Sequence, residues 1–121
     1  MSALPDDALV VRGGMNLPDS FERGSCVVLD SEGRLQGVSV NSAGGVSLDE
    51  LTAAQPASGY PGIPHTQIGV STVGAVRAAG GDVVPSPTKR NPYHATLSGL
   101  PPEQASALFR PTLLNPNRAA K

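Results

Sequence analysis

The sequence predicts a small α+β domain, in which a mostly antiparallel sheet carries three short helices packed on one face. The chain has 121 residues, a length typical of one domain with a single hydrophobic core. Its 12 Pro and 14 Gly divide it into short segments, which excludes long helices. The segments follow the order β-β-β-α-α-β-β-α, and this arrangement favours an antiparallel α+β fold.

The first three predicted strands come from short apolar runs. Residues 8–11 form a buried strand. Residues 25–29 and 35–40 form two further strands, joined by a loop of hairpin length in which Gly33 tolerates a positive φ. The single cysteine, Cys26, falls in the second strand. We expect it to be a buried strand residue rather than a reactive thiol.

Three helices are predicted from their caps and spacing. Ser47 and Glu50 are spaced as a capping box, which predicts a helix over residues 47–54. Apolar residues at a spacing near 3.6 predict a second helix over residues 71–79, before two glycines that favour its end. The third helix covers residues 102–109 and has proline in its first turn.

The remaining strands and the C-terminal segment complete the predicted domain. Residues 82–84 form a short strand, and residues 93–98 alternate between two faces as a strand requires. The predicted compact domain covers residues 1–110. Prolines and asparagines after it predict an extended C-terminal tail over residues 111–121.

Composition and charge argue against several classes of function. A formal net charge of −1 does not suit a protein that holds nucleic acid by bulk electrostatics. No apolar run approaches the ~20 residues of a membrane span. We therefore expect no membrane contact and a cytoplasmic location, unless a signal outside this segment directs the protein elsewhere. The two histidines match no zinc spacing and the Gly-rich segments no phosphate or dinucleotide motif, so we expect neither metal nor cofactor.

Two histidines in Pro-flanked polar segments are the candidate catalytic residues. His65 lies in a loop before Thr66, and His94 shares one face of its strand with Thr96. Imidazole is the only side chain that exchanges a proton near neutral pH without help. Two imidazoles suffice for RNA cleavage, since one removes the 2′-hydroxyl proton and the other protonates the leaving 5′-oxygen. A solvated or structural role for each histidine is the competing interpretation.

Basic and polar residues near the histidines are candidate substrate contacts. Arg12 follows a strand and precedes two glycines, a position where a guanidinium can bind an anion. Lys89 and Arg90 are adjacent and precede the strand that contains His94. We expect these cations to stabilise a charged phosphorane, and Thr66 to contact the substrate. For Arg12, a surface salt bridge is an equally weighted alternative.

Four segments resemble the compact catalytic domains of bacterial toxins: VVRGG (10–14), GVSVNS (37–42), HTQIG (65–69) and NPYHATL (91–97). The closer similarity is to small metal-independent ribonuclease toxins of the barnase, colicin and RelE type. The resemblance implies an α+β enzyme that cleaves RNA in the bacterial cytoplasm. It also implies a cognate antitoxin or immunity protein as partner, and it leaves self-association into a homo-oligomer open.

Two other functions compete with the ribonuclease. ADP-ribosyltransferase toxins, which use NAD, have an arginine after their first strand and a later Ser-rich strand, which Arg12, Ser39 and Ser42 resemble. Those enzymes also need a positioned glutamate, and the nearby acidic residues, Asp49 and Glu50, lie within the predicted capping box. The third alternative is a non-enzymatic binding or assembly module that docks a partner through its Pro-rich loops and tail.

Overall fold

A computed structural model describes residues 4–23 and 27–117, and its α+β architecture confirms the predicted fold class. In this part of the chain the strands are β1 (Leu9–Gly13), β2 (Val28–Leu29), β3 (Leu35–Gln36), β4 (Val38–Ala43), β5 (Gln67–Thr72), β6 (Asp82–Pro85), β7 (His94–Ser98) and β8 (Leu113–Leu114). The helices are α1 (Pro18–Glu22), α2 (Leu48–Thr52), α3 (Val73–Ala78) and α4 (Pro102–Phe109). The described residues thus hold four helices, one more than the sequence predicts.

The main sheet has six strands in the order β6-β7-β4-β1-β5-β8 within the described residues, and each neighbouring pair is antiparallel. A separate two-stranded sheet pairs β2 with β3. The strand predicted over residues 35–40 is divided between the two sheets at Gly37, whose φ of 84° turns the chain. Cys26, predicted to be buried in a strand, lies outside the described residues.

One face of the main sheet is covered by α1, α3 and α4, and we call it the helical face. Val10, Val40 and Leu97 point to this side and are buried. They pack with Phe21 of α1 and Phe109 of α4, whose ring centroids are 5.8 Å apart. Burial of this apolar surface is the main source of stability, because each fully buried large side chain contributes about 1.5–3 kcal/mol.

The opposite face, which we call the open face, is covered over only part of its area. There α2 and the loop after it place Leu51 and Ile63 over Val11 of β1 and Ile68 of β5. Over β4 and β7 the open face carries polar side chains instead: Ser39 is exposed, and His94 and Thr96 are half-buried. The predicted helix at residues 47–54 is therefore the one helix of the described part that lies opposite the other three.

The strand β5 and the short helix α1 were not predicted. In β5 Ile68 and Val70 share the open face, and the residue between them is Gly69, which has no room for a side chain because a Cβ there would lie 2.6 Å from the Phe109 oxygen. Helix α1 has five residues and buries Phe21 alone, so it shows no periodicity. In both cases tertiary packing, rather than the local sequence pattern, determines the secondary structure.

The segment predicted as a tail packs against the domain as far as the described residues extend. Leu113 and Leu114 form β8, which pairs with Ile68 and Gln67 of β5. The Asn115 side chain is buried and donates hydrogen bonds to the main-chain oxygens of Ile63 and His65, both at 2.9 Å.

No helix in residues 4–23 and 27–117 combines the length and apolarity needed to cross a bilayer.

Candidate functional site

The candidate site is a cleft on the open face where β1 and β4 separate. Their pairing ends at Val11 and Asn41, although β1 continues to Gly13 and β4 already begins at Val38. The space between the strands opens into a cleft of about 270 Å³. Its lining consists of Val11, Arg12, Gly13, Ser39, Val40, Asn41, Tyr60, Ile63, Pro64, His65, Asn91 and His94.

Main-chain groups face each other across this gap. The Gly14 N–H donates to the Gln67 oxygen of β5 at 2.8 Å, so the preceding residue, Gly13, turns its N–H and C=O toward β4. The Ser42 N–H donates to the Tyr93 oxygen at 2.9 Å, and by the same alternation Ser39 faces β1. A Gly13–Ser39 pair would continue the ladder, but the pairing of the described strands stops before it. The Gly13 N–H is therefore turned toward β4, at the wall of the cleft that Gly13 lines.

His94 is held at both ring nitrogens, by Ser86 just after β6 and by Ser39 of β4. Its Nδ1 lies 3.0 Å from the main-chain oxygen of Ser86 and 2.9 Å from the Ser86 hydroxyl. Its Nε2 lies 3.1 Å from the Ser39 hydroxyl. Ser39 is opposite Thr96 in the sheet, and Thr96 Oγ1 in turn bonds the Ser86 hydroxyl at 2.8 Å. The imidazole thus has a fixed orientation toward the cleft.

We assign the tautomer of neutral His94 from its contact with the Ser86 carbonyl. A main-chain carbonyl can only accept a hydrogen bond, so Nδ1 carries the proton and donates it to Ser86. Nε2 is then the unprotonated nitrogen, and it accepts from the Ser39 hydroxyl. The single lone pair of Nε2 therefore faces the Ser39 hydroxyl at the wall of the cleft, and a substrate hydroxyl that displaces Ser39 would meet a general base there.

His65 lies across the cleft, against β1. A Cβ built on Gly13 would collide with Nδ1 of His65 and lie 2.8 Å from Ile63, so the glycine is what allows the imidazole to pack there. The Asn115 side chain donates to the main-chain oxygen of His65, and the Asn115 main-chain N–H donates to the Thr66 oxygen at 2.8 Å. The loop is thereby anchored while the His65 side chain remains exposed.

The structure brings the two predicted histidines together in one cleft, although they lie in different parts of the sequence. Thr96 lies on the same face as His94 and contacts it through Ser86. Sequence reasoning did not include Ser39 and Ser86 among the ribonuclease residues. Their contacts with His94 depend on the register of β4 and β7 and on the turn after β6, and neither leaves a local signal in the sequence.

Arg12 reaches the cleft with its main chain alone. Its guanidinium lies on the helical face, where it donates to the Asn16 side chain at 3.1 Å and to the Ser20 oxygen at 2.9 Å. The guanidinium carbon lies 4.2 Å from the centroid of the Phe21 ring, a cation–π arrangement. Burial lowers the pKa of Arg12 below its ordinary value. The structure therefore does not bring this cation to the two imidazoles.

The other predicted substrate contacts lie at the margins of the cleft or outside it. Lys89 and Arg90 are exposed in the turn that precedes Asn91, a residue of the lining. The Arg90 guanidinium donates to the Gly59 oxygen at 2.9 Å, which fixes this turn to the loop after α2. Thr66 is exposed beside His65. These residues are close in the chain to the lining, but they are not part of it.

The residues of the transferase alternative are distributed over both faces. Ser39 is on the open face, whereas the buried Ser42 donates to the main-chain oxygen of Leu9 at 2.6 Å. Glu50 accepts a hydrogen bond from the Tyr93 hydroxyl at 2.8 Å, which raises the pKa of that phenol. Arg12, Ser42 and Glu50 do not line the cleft with their side chains.

No family model, curated protein or solved structure matches the chain. Among residues 4–23 and 27–117, no three His, Cys, Asp or Glu side chains converge as metal ligands would.

Proposed function

We propose that the protein is a ribonuclease that cleaves RNA by acid–base catalysis between His65 and His94 and needs no metal ion. The observation that supports this proposal is that both imidazoles line one solvent-open cleft. Two groups that transfer protons at one phosphodiester must lie on either side of it, and loop residues on a rigid sheet are well suited to that task.

The two histidines have different roles in this mechanism. His94 is the general base, because its Nε2 is unprotonated in the tautomer set by Ser86. It removes the proton from the ribose 2′-hydroxyl, which then attacks the adjacent phosphorus. His65 is the general acid that protonates the leaving 5′-oxygen, and its exposed ring on the other side of the cleft suits that role. The product is a 2′,3′-cyclic phosphate.

The charged phosphorane needs a cation to stabilise it. Arg12 was one of the cations predicted for this role, but its guanidinium lies on the helical face, away from the cleft. Because the guanidinium groups of Arg12 and Arg90 are both engaged with protein oxygens, we assign the electrostatic role to Lys89, which is exposed next to Arg90. The Gly13 N–H adds a main-chain donor at the wall of the cleft.

Thr66 is the proposed hydroxyl contact of the RNA. Thr96, predicted as catalytic from the sequence, acts in this proposal through Ser86, whose hydroxyl it bonds and which holds His94.

A ribonuclease made inside a cell must be neutralised there, so this proposal includes a cognate antitoxin or immunity protein. We further propose that this partner covers the cleft and acts in the bacterial cytoplasm. An open cleft that combines apolar and polar walls offers a surface that a competing protein can occupy.

The proposal predicts RNA cleavage that persists in excess EDTA. His65→Ala and His94→Ala should each lower kcat/KM by about 10²–10⁴-fold, because each removes one proton-transfer group. The measurement is cleavage of a fluorescent single-stranded RNA, with product termini identified by mass spectrometry. Arg23→Ala, which breaks an exposed ion pair on α1, is the matched control and should cleave as the wild type does. Absence of cleavage by the purified wild type, or full activity of both variants, would reject the proposal.

A further inference from the structure

We propose that Ser39 is a covalent nucleophile and that the cleft also hydrolyses small neutral carboxylic esters. This inference does not rest on RNA being a substrate. It rests on a hydrogen-bonded chain that a ribonuclease of the proposed type does not need, because in RNA cleavage the substrate supplies its own nucleophile.

The hydrogen-bonded chain has the three parts that an activated serine requires. The Ser39 hydroxyl donates to Nε2 of His94 at 3.1 Å. Nδ1 of the same ring donates to the Ser86 oxygen at 3.0 Å, which orients the ring and fixes its tautomer. A nucleophile, a base within hydrogen-bond reach and a third group that orients the base define this type of site. Here a main-chain carbonyl takes the place of the usual carboxylate.

The gap between β1 and β4 supplies a donor for the oxyanion. The alternation of both strands places the main chain of Ser39 opposite that of Gly13 across the gap. It also turns the Gly13 N–H toward β4. A main-chain N–H beside the attacked carbonyl stabilises the charge that develops on its oxygen. The arrangement is already open, because β1 and β4 do not pair at this point.

The access and lining of the cleft define the class of substrate. Ser39 is exposed, so an ester can reach its hydroxyl from solvent. Val11, Ile63 and Tyr60 provide apolar walls, and Asn41 fixes Tyr60 by donating to its hydroxyl at 3.1 Å. No carboxylate is among the described lining residues. A volume of about 270 Å³ with these walls suits a short acyl group on a small alcohol.

The reaction balances without an added reagent other than water. The Ser39 oxygen bonds to the acyl carbon while its proton passes to Nε2 of His94. The carbon–oxygen bond to the alcohol then breaks, and the departing alkoxide takes that proton. Water attacks the acyl-serine and gives a proton to Nε2, which returns it to the Ser39 oxygen as the carboxylic acid leaves.

A fluorophosphonate probe tests the inference on the whole chain. The expected result is one covalent adduct, located on Ser39 by peptide mass spectrometry of the wild-type protein. With p-nitrophenyl acetate, we expect a burst of p-nitrophenol close to the enzyme concentration. Ser39→Ala should abolish labelling, and His94→Ala should slow it by roughly 10²-fold or more. Ser98→Ala removes a hydroxyl from the same face of β7 outside the cleft lining, and it should label as the wild type does.

Several outcomes would overturn the inference: no adduct on the wild type, an adduct on another residue, or wild-type labelling of the Ser39→Ala variant. Mapping on the wild-type protein does not depend on whether a variant folds. The outcome for RNA is separate. Labelling of Ser39 without RNA cleavage would reject the ribonuclease proposal alone, and RNA cleavage without labelling would reject this inference alone.

Discussion

At the residue scale, Gly13 controls the distance between the sheet and His65. No side chain fits at this position, because a Cβ would collide with the imidazole and with Ile63. The sequence placed His94 and Thr96 on one strand face, which alternation alone predicts. It could not connect Ser39 or Ser86 to His94, because those contacts follow from strand register and from the path of a turn.

Substituting Gly13 should therefore disturb the site directly. We expect Gly13→Ala to lower the free energy of unfolding by about 1–3 kcal/mol, since an added methyl forces its neighbours to move. The double variant Gly13→Ala/His65→Ala should recover part of this loss, because removing the imidazole removes one of the two collisions. Urea denaturation of both single variants and the double variant measures this coupling. Strictly additive effects, or a fully stable Gly13→Ala, would show that the imidazole does not pack on Gly13.

At the element scale, the structure follows the sequence where the local signal is strong. Ser47 caps α2 as predicted, with the Glu50 N–H donating to the Ser47 hydroxyl at 3.2 Å, while the Glu50 carboxylate accepts from the Tyr93 hydroxyl instead of returning to Ser47. Helix α4 covers the predicted residues 102–109.

The sequence did not predict β5, because glycine is unfavourable inside a strand and Gly69 lies in the middle of this one. The absence of a side chain at Gly69 allows close packing against Phe109 of α4. Glycines selected for tertiary contact are read from sequence as loops.

An ion-pair network joins three elements at one edge of the main sheet. Arg77 of α3 donates to Asp82 at the start of β6 at 3.0 Å and to Asp6 before β1 at 2.7 Å. The hydrogen bond from Arg77 lowers the pKa of the Asp82 carboxyl below its ordinary value of 3.8. All three side chains are partly exposed, so solvent screens both ion pairs and each contributes little to stability.

This network makes stability depend on pH in a definite direction. The folded-state pKa of Asp82 is lowered, so its contribution is fully present above the unfolded-state pKa and is lost as pH falls through the folded value. We expect Asp82→Asn to lower the melting temperature at pH 7 and to have a smaller effect at pH 2, because the wild-type contribution is lost as the pH falls through the folded-state pKa. Thermal unfolding followed by circular dichroism measures this. Asp7→Asn, outside this network, is the control, and an equal effect of Asp82→Asn at both pH values would contradict the account.

At the scale of the whole molecule, one face of the main sheet forms most of the hydrophobic core and the other face carries the candidate site. The helical face holds most of the described buried apolar residues, and the Arg12 guanidinium packs there. The open face carries the cleft where β1 and β4 separate, and both histidines line that cleft. The fold class follows from segment lengths and Pro/Gly punctuation, which are local properties of the chain. The cleft depends on which strands become neighbours, and that ordering results from packing of the whole chain.

The central claim is that His65 and His94 act together in one phosphodiester cleavage step, and a double-mutant comparison of RNA cleavage tests it most directly. We predict that kcat/KM of His65→Ala/His94→Ala falls about as far as that of the more impaired single variant, because groups acting in one step are not additive. The measurement is the initial rate of RNA cleavage by the wild type, both single variants and the double variant in EDTA. A loss in the double variant equal to the product of the two single losses would contradict the claim, because the histidines would then act independently.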